Sequence, residues 1–196
     1  MSQGFHEVLG EVRDYYRRRF HEAVSEALRD GDVATEVPLC DQTGEVVTEG
    51  VLNAGVRVDL VVYQNDTPVR SINIDTEKGL AFPGLQVRAG DVTISFGAMK
   101  WNQMRFACEG SIGERLLLEQ LSSWYQKWFQ EAAGEDGEDA LCVHFISDPV
   151  FRDGGFCFTV DFGTAEAESL TTLLELLVRA GVTQVIMGDP PDTAGT

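Results

Sequence analysis

The sequence predicts an α+β fold, an antiparallel β-meander plus a second hairpin packed with three α-helices in the order α-βββββ-α-ββ-α-β. Three observations predict it. Apolar residues recur at steps of three and four in three separate stretches, the signature of amphipathic helices. Between those stretches they alternate by twos, the signature of strands with one wet face. Glycine, asparagine and aspartate punctuate the segments where turns are needed.

Residues 4–29 read as the first helix, with Phe5, Val8, Leu9, Val12, Tyr16, Phe20, Ala23, Val24, Ala27 and Leu28 on its apolar side. Asp30-Gly31-Asp32 stops it. Glu36–Cys40 and Glu45–Thr48 flank the turn signal Asp41-Gln-Thr-Gly44. Val56, Val58, Leu60 and Val62 alternate with Arg57, Asp59, Val61 and Tyr63, and Asn65-Asp66 turns the chain toward Ile72 and Ile74. Leu85 and Val87, the turn Gly90-Asp91, and Val92, Ile94 and Phe96 form another hairpin. Gly97 bends the way to a strand holding Met104, Phe106 and Cys108. Ser111-Ile-Gly-Glu114 fits a capping box ahead of a helix expected to reach about Ala133. Leu141–Ile146 and Phe156–Phe162 alternate as a hairpin; Thr164 is the expected cap of a third helix, Gly181 closes it, and Val182–Met187 is a short last strand.

The chain has 196 residues, 43% of them hydrophobic, enough for one full core. Residues 1–188 are expected to form a single α+β domain, with a seam at 134–139 in an exposed acidic loop. Residues 189–196 are expected to be a mobile C-terminal tail. Charged residues stand early, at Glu7, Glu11 and Asp14, and no run of apolar residues is long enough to span a bilayer. The expected location is cytoplasmic. Cys40, Cys108, Cys142 and Cys157 are widely spaced and read as free thiols.

Thirty-two acidic residues against 15 Lys+Arg give a net charge of −17. Residues 134–196 sum to −10, with only Arg152 and Arg179 positive. Such a field disfavours nucleic acid and anionic membranes, and neither is expected as a partner, because binding them gains its free energy from neutralised phosphates. A basic protein would be drawn to it. The order of elements is similar to that of the small acidic chaperones of bacterial secretion systems, to which this chain would add extra strands. That topological resemblance implies a protein-binding role.

Motifs that carry chemistry are sparse. His6 and His21 lie fifteen residues apart on the first helix and form no ligand pair. No phosphate-binding glycine loop and no Gly-x-Ser-x-Gly elbow occurs. Cys142 and His144 sit two apart on a strand and so share a face. Pairing Leu141, Val143 and Phe145 with Phe162, Val160 and Phe158 would set them near Asp161, with Thr159 and Cys157 beside it. Thiol, imidazole and carboxylate are the parts of a nucleophile–base–orienter set or of a three-ligand zinc site. Asp59, Asn73 and Asp75, followed by Glu77, would sit on one outer sheet face with oxygens suited to Mg²⁺ or Ca²⁺. Cys/His spacing lacks a second local pair, so no metal and no cofactor is expected.

The helix after Ser111 carries two adjacent aromatic stripes, Trp124/Trp128 and Tyr125/Phe129. The first is the expected core stripe; the second, half exposed, would be a contact surface. The function expected is therefore a non-enzymatic acidic protein-binding module: an adaptor, an escort or chaperone-like protein, or a neutralising protein. Its partner is an unknown, basic protein or a second copy in a homodimer, and Trp124, Tyr125, Trp128 and Phe129 are its binding residues. The alternatives are a small-ligand-binding domain and an enzyme working from the Cys142/His144/Asp161 face.

Overall fold

The computed structural model describes residues 3–76, 78–82, 85–110, 112–130 and 141–189. Phe5, Leu9, Val12, Tyr16 and Phe20 are all buried on one stripe of α1 (Gln3–Ala27), as their spacing requires. Then come β1 (Asp32–Pro38), the two-residue strands β2 (Thr48–Glu49) and β3 (Ala54–Gly55), β4 (Arg57–Gln64) and β5 (Thr67–Ile72). The chain continues through β6 (Leu80–Ala81), β7 (Gln86–Ala89), β8 (Val92–Phe96), β9 (Ala98–Met99), a 3-10 turn (Trp101–Gln103) and β10 (Met104–Gly110). The last third holds α2 (Glu114–Gln130), β11 (Phe145–Ile146), β12 (Val150–Arg152), β13 (Gly155–Asp161), α3 (Ala167–Arg179) and β14 (Val182–Met187). The α+β class and the broad order of elements are as expected.

The strands divide between two main sheets instead of continuing one meander. One has the order β1-β4-β5; the other runs β11-β13-β10-β14-β8-β7, with β12 also on β13. The final strand does not add to an edge. It inserts between β10 and β8, antiparallel to the first and parallel to the second. The cause is α3, which carries the chain back over β10 so that β14 runs in the direction of β13. Gly97 lies where the chain crosses this junction: its N–H donates to Met187 O at 2.7 Å, and a side chain there would strike the Asp189 carbonyl.

Helices close the core. α1 lies against β1, β4, the 3-10 turn and α3, while α2 meets β3, β11 and α3. The alternation read from Val56 to Tyr63 implied one wet face, but β4 is buried on both faces from Val58 to Val62. α1 packs on this sheet, and segment 141–146 bonds to it through Arg57. Consequently Asp59 is an interior carboxylate, not part of an outer acidic face; Asn73 and Asp75 are exposed, and Asp75 pairs with Lys100 at 3.4 Å. The third helix begins later than Thr164 predicts, with Glu166 at its N-cap. Ser111, residues 131–140 and the tail from 190 lie outside the described residues. So do Glu77, the expected acidic loop and the expected end of α2. Asp189 is bridged to Ala98.

Candidate functional site

Glu36 and Asp59 face each other across the β1–β4 ladder, between the pairs Thr35↔Leu60 and Val37↔Val58. Glu36 distorts the strand locally with a left-handed backbone, φ +57°, while the register continues on either side. Such a conformation costs a non-glycine residue on the order of 1–3 kcal/mol and persists only where its surroundings enforce it. Arg57 enforces it: one guanidinium N–H donates to Glu36 O at 2.5 Å and another to Phe129 O at 2.8 Å, with the plane 4.4 Å above the Phe129 ring. The Arg57 backbone N–H donates to His144 O at 3.2 Å. Tyr125 places its hydroxyl proton between Gly55 O at 2.5 Å and His144 O at 3.1 Å.

These anchors turn Cys142 and His144 inward. His144 Nε2 meets Glu36 Oε2 in a short hydrogen bond, and Cys142 Sγ donates to the same oxygen at 2.9 Å. The other imidazole nitrogen, Nδ1, lies 3.5 Å from Asp59 Oδ1 and 3.9 Å from Asp161 Oδ2. Asp59 is itself fixed, accepting from the Tyr16 hydroxyl and from Ile74 N at 2.7 Å. Asp161 accepts from Gly163 N at 2.9 Å. Gly163 has φ +49°, and any Cβ there would run into the His144 ring. Glu36, Asp59, Cys142 and His144 are 0–3% exposed, while 27% of the Asp161 side chain is exposed.

Three carboxylates thus enclose one imidazole. Burial works against the imidazolium, but Asp161, the Cys142 and Glu36 hydrogen bonds and the Glu36 charge outweigh it, raising His144 well above its ordinary value. Burial raises Asp59 against the opposing pull of His144, the Tyr16 hydroxyl and Ile74 N–H. Burial, aided by Asp59, holds Asp161 up to about 7. The Cys142 thiol is also pushed up, chiefly by burial. A nucleophilic cysteine needs a lowered pKa and access to substrate; Cys142 has neither. Among the described residues of the cluster and its clamp, Glu36 Oε1, His144 Nδ1 and Arg57 Nε are buried without a hydrogen-bond partner. Glu36, Cys142 and His144 each bring one metal-ligating atom within 4.8 Å of the others.

The sequence placed Cys142, His144 and Asp161 together, and the structure brings Asp161 close to the His144 ring by a different pairing. Phe145 lies opposite Asp161, three residues from the expected register. Cys142, Val143 and His144 are all buried, so the expected alternation fails just before β11. Cys157 stands apart from the cluster, paired with Ala107 and Val150. Sequence reasoning missed Glu36 and put Asp59 on the wrong face. Tyr16 it assigned to the core without noticing its hydroxyl. His6 and His21 are exposed.

The aromatic contact surface needs correction. Trp124, Tyr125 and Trp128 are buried and Phe129 is half-buried. Trp124 Nε1 donates to Ser169 O at 3.1 Å, and Trp128 Nε1 to Thr172 Oγ1 at 3.2 Å. Phe129 is covered by Arg57 and touches Tyr125, with ring centroids 5.3 Å apart. The wide apolar stripe is consumed within the chain, because α2 packs against α3 on one side and against β3 and β11 on the other.

Exposed apolar surface lies elsewhere. Residues 39–51 are exposed throughout, and they include Leu39, Val46, Val47 and Val51. Backbone bonds order this extension: Val47 N to Leu39 O at 2.8 Å and Asp41 N to Glu45 O at 2.8 Å. The Asp41 carboxylate closes its turn by accepting from Thr43 N at 2.7 Å, and Asp148 holds its far end through Val51 N at 2.9 Å and Leu52 N at 3.1 Å. Asp41, Glu45 and Glu49 stand among the aliphatic residues.

Compared with known proteins, the chain matches no family model, no curated protein and no solved structure. No helix among the described residues is long and apolar enough to cross a membrane.

Proposed function

We propose that this protein is a non-enzymatic, cytoplasmic binding module that engages a protein partner through the extension at residues 39–51. The observation that carries this reading is the set Leu39, Val46, Val47 and Val51, held exposed on an ordered backbone. Single exposed aliphatic residues are ordinary, whereas several on one fixed element favour an interface. The partner's matching surface is apolar with a basic rim, complementary to Asp41, Glu45 and Glu49. A second copy is a poorer fit, since each chain carries −17. The buried state of Cys142 and His144 supports a role without turnover, and four free cysteines suit a reducing compartment.

The test compares the wild-type chain with a Leu39→Ser/Val47→Ser/Val51→Ser variant during purification from the native cell at low and high salt. A partner chain should accompany the wild type, dissociate as salt rises, and be lost from the variant, whose melting temperature stays nearly unchanged. A partner retained by the variant, or a wild-type chain that purifies alone at low salt, would contradict the reading.

A further inference from the structure

The interior cluster has a property that protein binding at the surface does not use. We propose that Glu36, Cys142 and His144 are the protein ligands of one buried divalent transition-metal ion of the zinc type. His144 would bind through Nε2, and Asp59 would act as the positioning residue behind its Nδ1.

The three donors come from two remote parts of the chain, 106 and 108 residues apart, and converge in the interior. Glu36 Oε2 hydrogen-bonds to both partners, so the three donors converge on one point and need only open slightly to admit an ion. The second Glu36 oxygen is buried and has no hydrogen-bond partner, a costly state that a cation would relieve. The left-handed backbone at Glu36 is a second cost incurred at the same residue, and the Arg57 clamp on its carbonyl maintains it. Charge permits the exchange. Glu36, Asp59 and Asp161 surround a single imidazole, and a dication that replaces two protons there leaves the net charge of the cluster unchanged. As the metal–sulfur bond forms, the Cys142 proton leaves to solvent; the proton between Glu36 and His144 Nε2 leaves likewise.

The donor set selects the ion. Ca²⁺ and Mg²⁺ prefer oxygen alone, and Cu(I) prefers sulfur. One thiolate, one imidazole and one carboxylate suit Zn²⁺ or Co²⁺, with Glu36 Oε1 or a water in the fourth position. A ligating histidine usually gives its other N–H to a carboxylate, which fixes the ring. Asp59 Oδ1 stands 3.5 Å from Nδ1, and its own carboxylate is pinned by Tyr16 and Ile74. The local Cys/His spacing hid this site because the third ligand is far away in sequence.

The test uses the full chain, stripped with chelator and titrated with Co²⁺ and then Zn²⁺. One equivalent of Co²⁺ should bind and give the near-ultraviolet thiolate-to-cobalt absorption, which Zn²⁺ should abolish. Zn²⁺ at a hundredfold excess over Kd should raise the melting temperature by about 5–10 °C. Cys142→Ser should lose the absorption, whereas Cys40→Ser, altered at an exposed thiol, should keep it. Asp59→Asn should keep the sulfur absorption while weakening affinity by roughly 10–100-fold. The proposal is overturned if the wild type shows no stoichiometric Co²⁺, if the absorption survives in Cys142→Ser, or if it disappears in Cys40→Ser. Should Cys142→Ser fail to fold, the wild-type stoichiometry and the Cys40→Ser spectrum still decide.

Discussion

Raising the pH from 5 to 8 should weaken the metal-free protein, and Asp161 is the residue through which to see it. In the folded chain burial and Asp59 hold its carboxyl up to about 7, against an ordinary value of 3.8. Between those values the folded state binds more protons than the unfolded state, so stability falls as pH rises. A gap of about three units at 1.36 kcal/mol each puts the whole loss at up to ~4 kcal/mol between about pH 4 and pH 7, of which roughly 3 kcal/mol falls above pH 5. Asp59, also raised, contributes with the same sign. So does His144: its stabilisation is complete below its unfolded value and fades as pH climbs toward its raised folded value. The acidic surface adds repulsion of its own as carboxylates ionise, which makes a control necessary. Asp161→Asn keeps an oxygen for Gly163 N–H and removes the titration. Urea unfolding of chelator-treated protein at four pH values should give a falling free energy for the wild type and a shallower fall for Asp161→Asn. Stability that rises with pH across this window, or equal slopes in both proteins, would refute the reasoning.

Other substitutions probe the supports of the cluster and the core. Gly163→Ala places a Cβ in a left-handed backbone against the His144 ring, and urea unfolding should show a loss of about 2–4 kcal/mol. Trp128→Ala removes a buried ring and its bond to Thr172, for roughly 3–5 kcal/mol, visible as a large drop in melting temperature. Tyr125→Phe leaves the Gly55 and His144 carbonyls without that hydroxyl donor, which should cost about 1–3 kcal/mol by the same measurement. Because Tyr125 is interior, Tyr125→Ser with Phe129→Ser should destabilise the protein as Trp128→Ala does, rather than leave its melting temperature unchanged.

Periodicity made the helices legible. The Phe5–Phe20 stripe of α1 and the Leu117–Trp128 stripe of α2 pack as their spacing dictates. The meeting of His144 with Asp161 was legible too, because both lie on neighbouring segments of one hairpin. Its register was not: segment 141–144 leaves the strand, and pairwise alternation cannot anticipate that departure. Glu36 carried no local sign of burial, since its position depends on an Arg57 clamp and on a partner strand set by tertiary structure. Asp59 offered one. The unbroken run Leu60-Val61-Val62 beside it signals a strand buried on both faces, and a carboxylate next to such a run is a candidate for the interior. The surplus apolar width of α2 was read correctly as width but assigned to a partner, because nothing in one helix reveals that α3 and β3 will cover both of its edges.

If the Cys142/His144 cluster is a buried ligand set and not a reactive centre, its thiol must be closed to solutes larger than an ion. The reaction of the four thiols with a small alkylating reagent, followed by peptide mass mapping on native, chelator-treated protein, tests this most directly. Cys40 is exposed and Cys157 half-buried, while Cys108 and Cys142 are interior, with burial holding Cys108 up to about 12. Cys40 should be modified first and Cys157 more slowly, with Cys108 and Cys142 protected until urea unfolds the chain. Modification of Cys142 in the native protein at a rate near that of Cys40 would contradict the sealed site and return the thiol–imidazole–carboxylate set to consideration as a reactive centre.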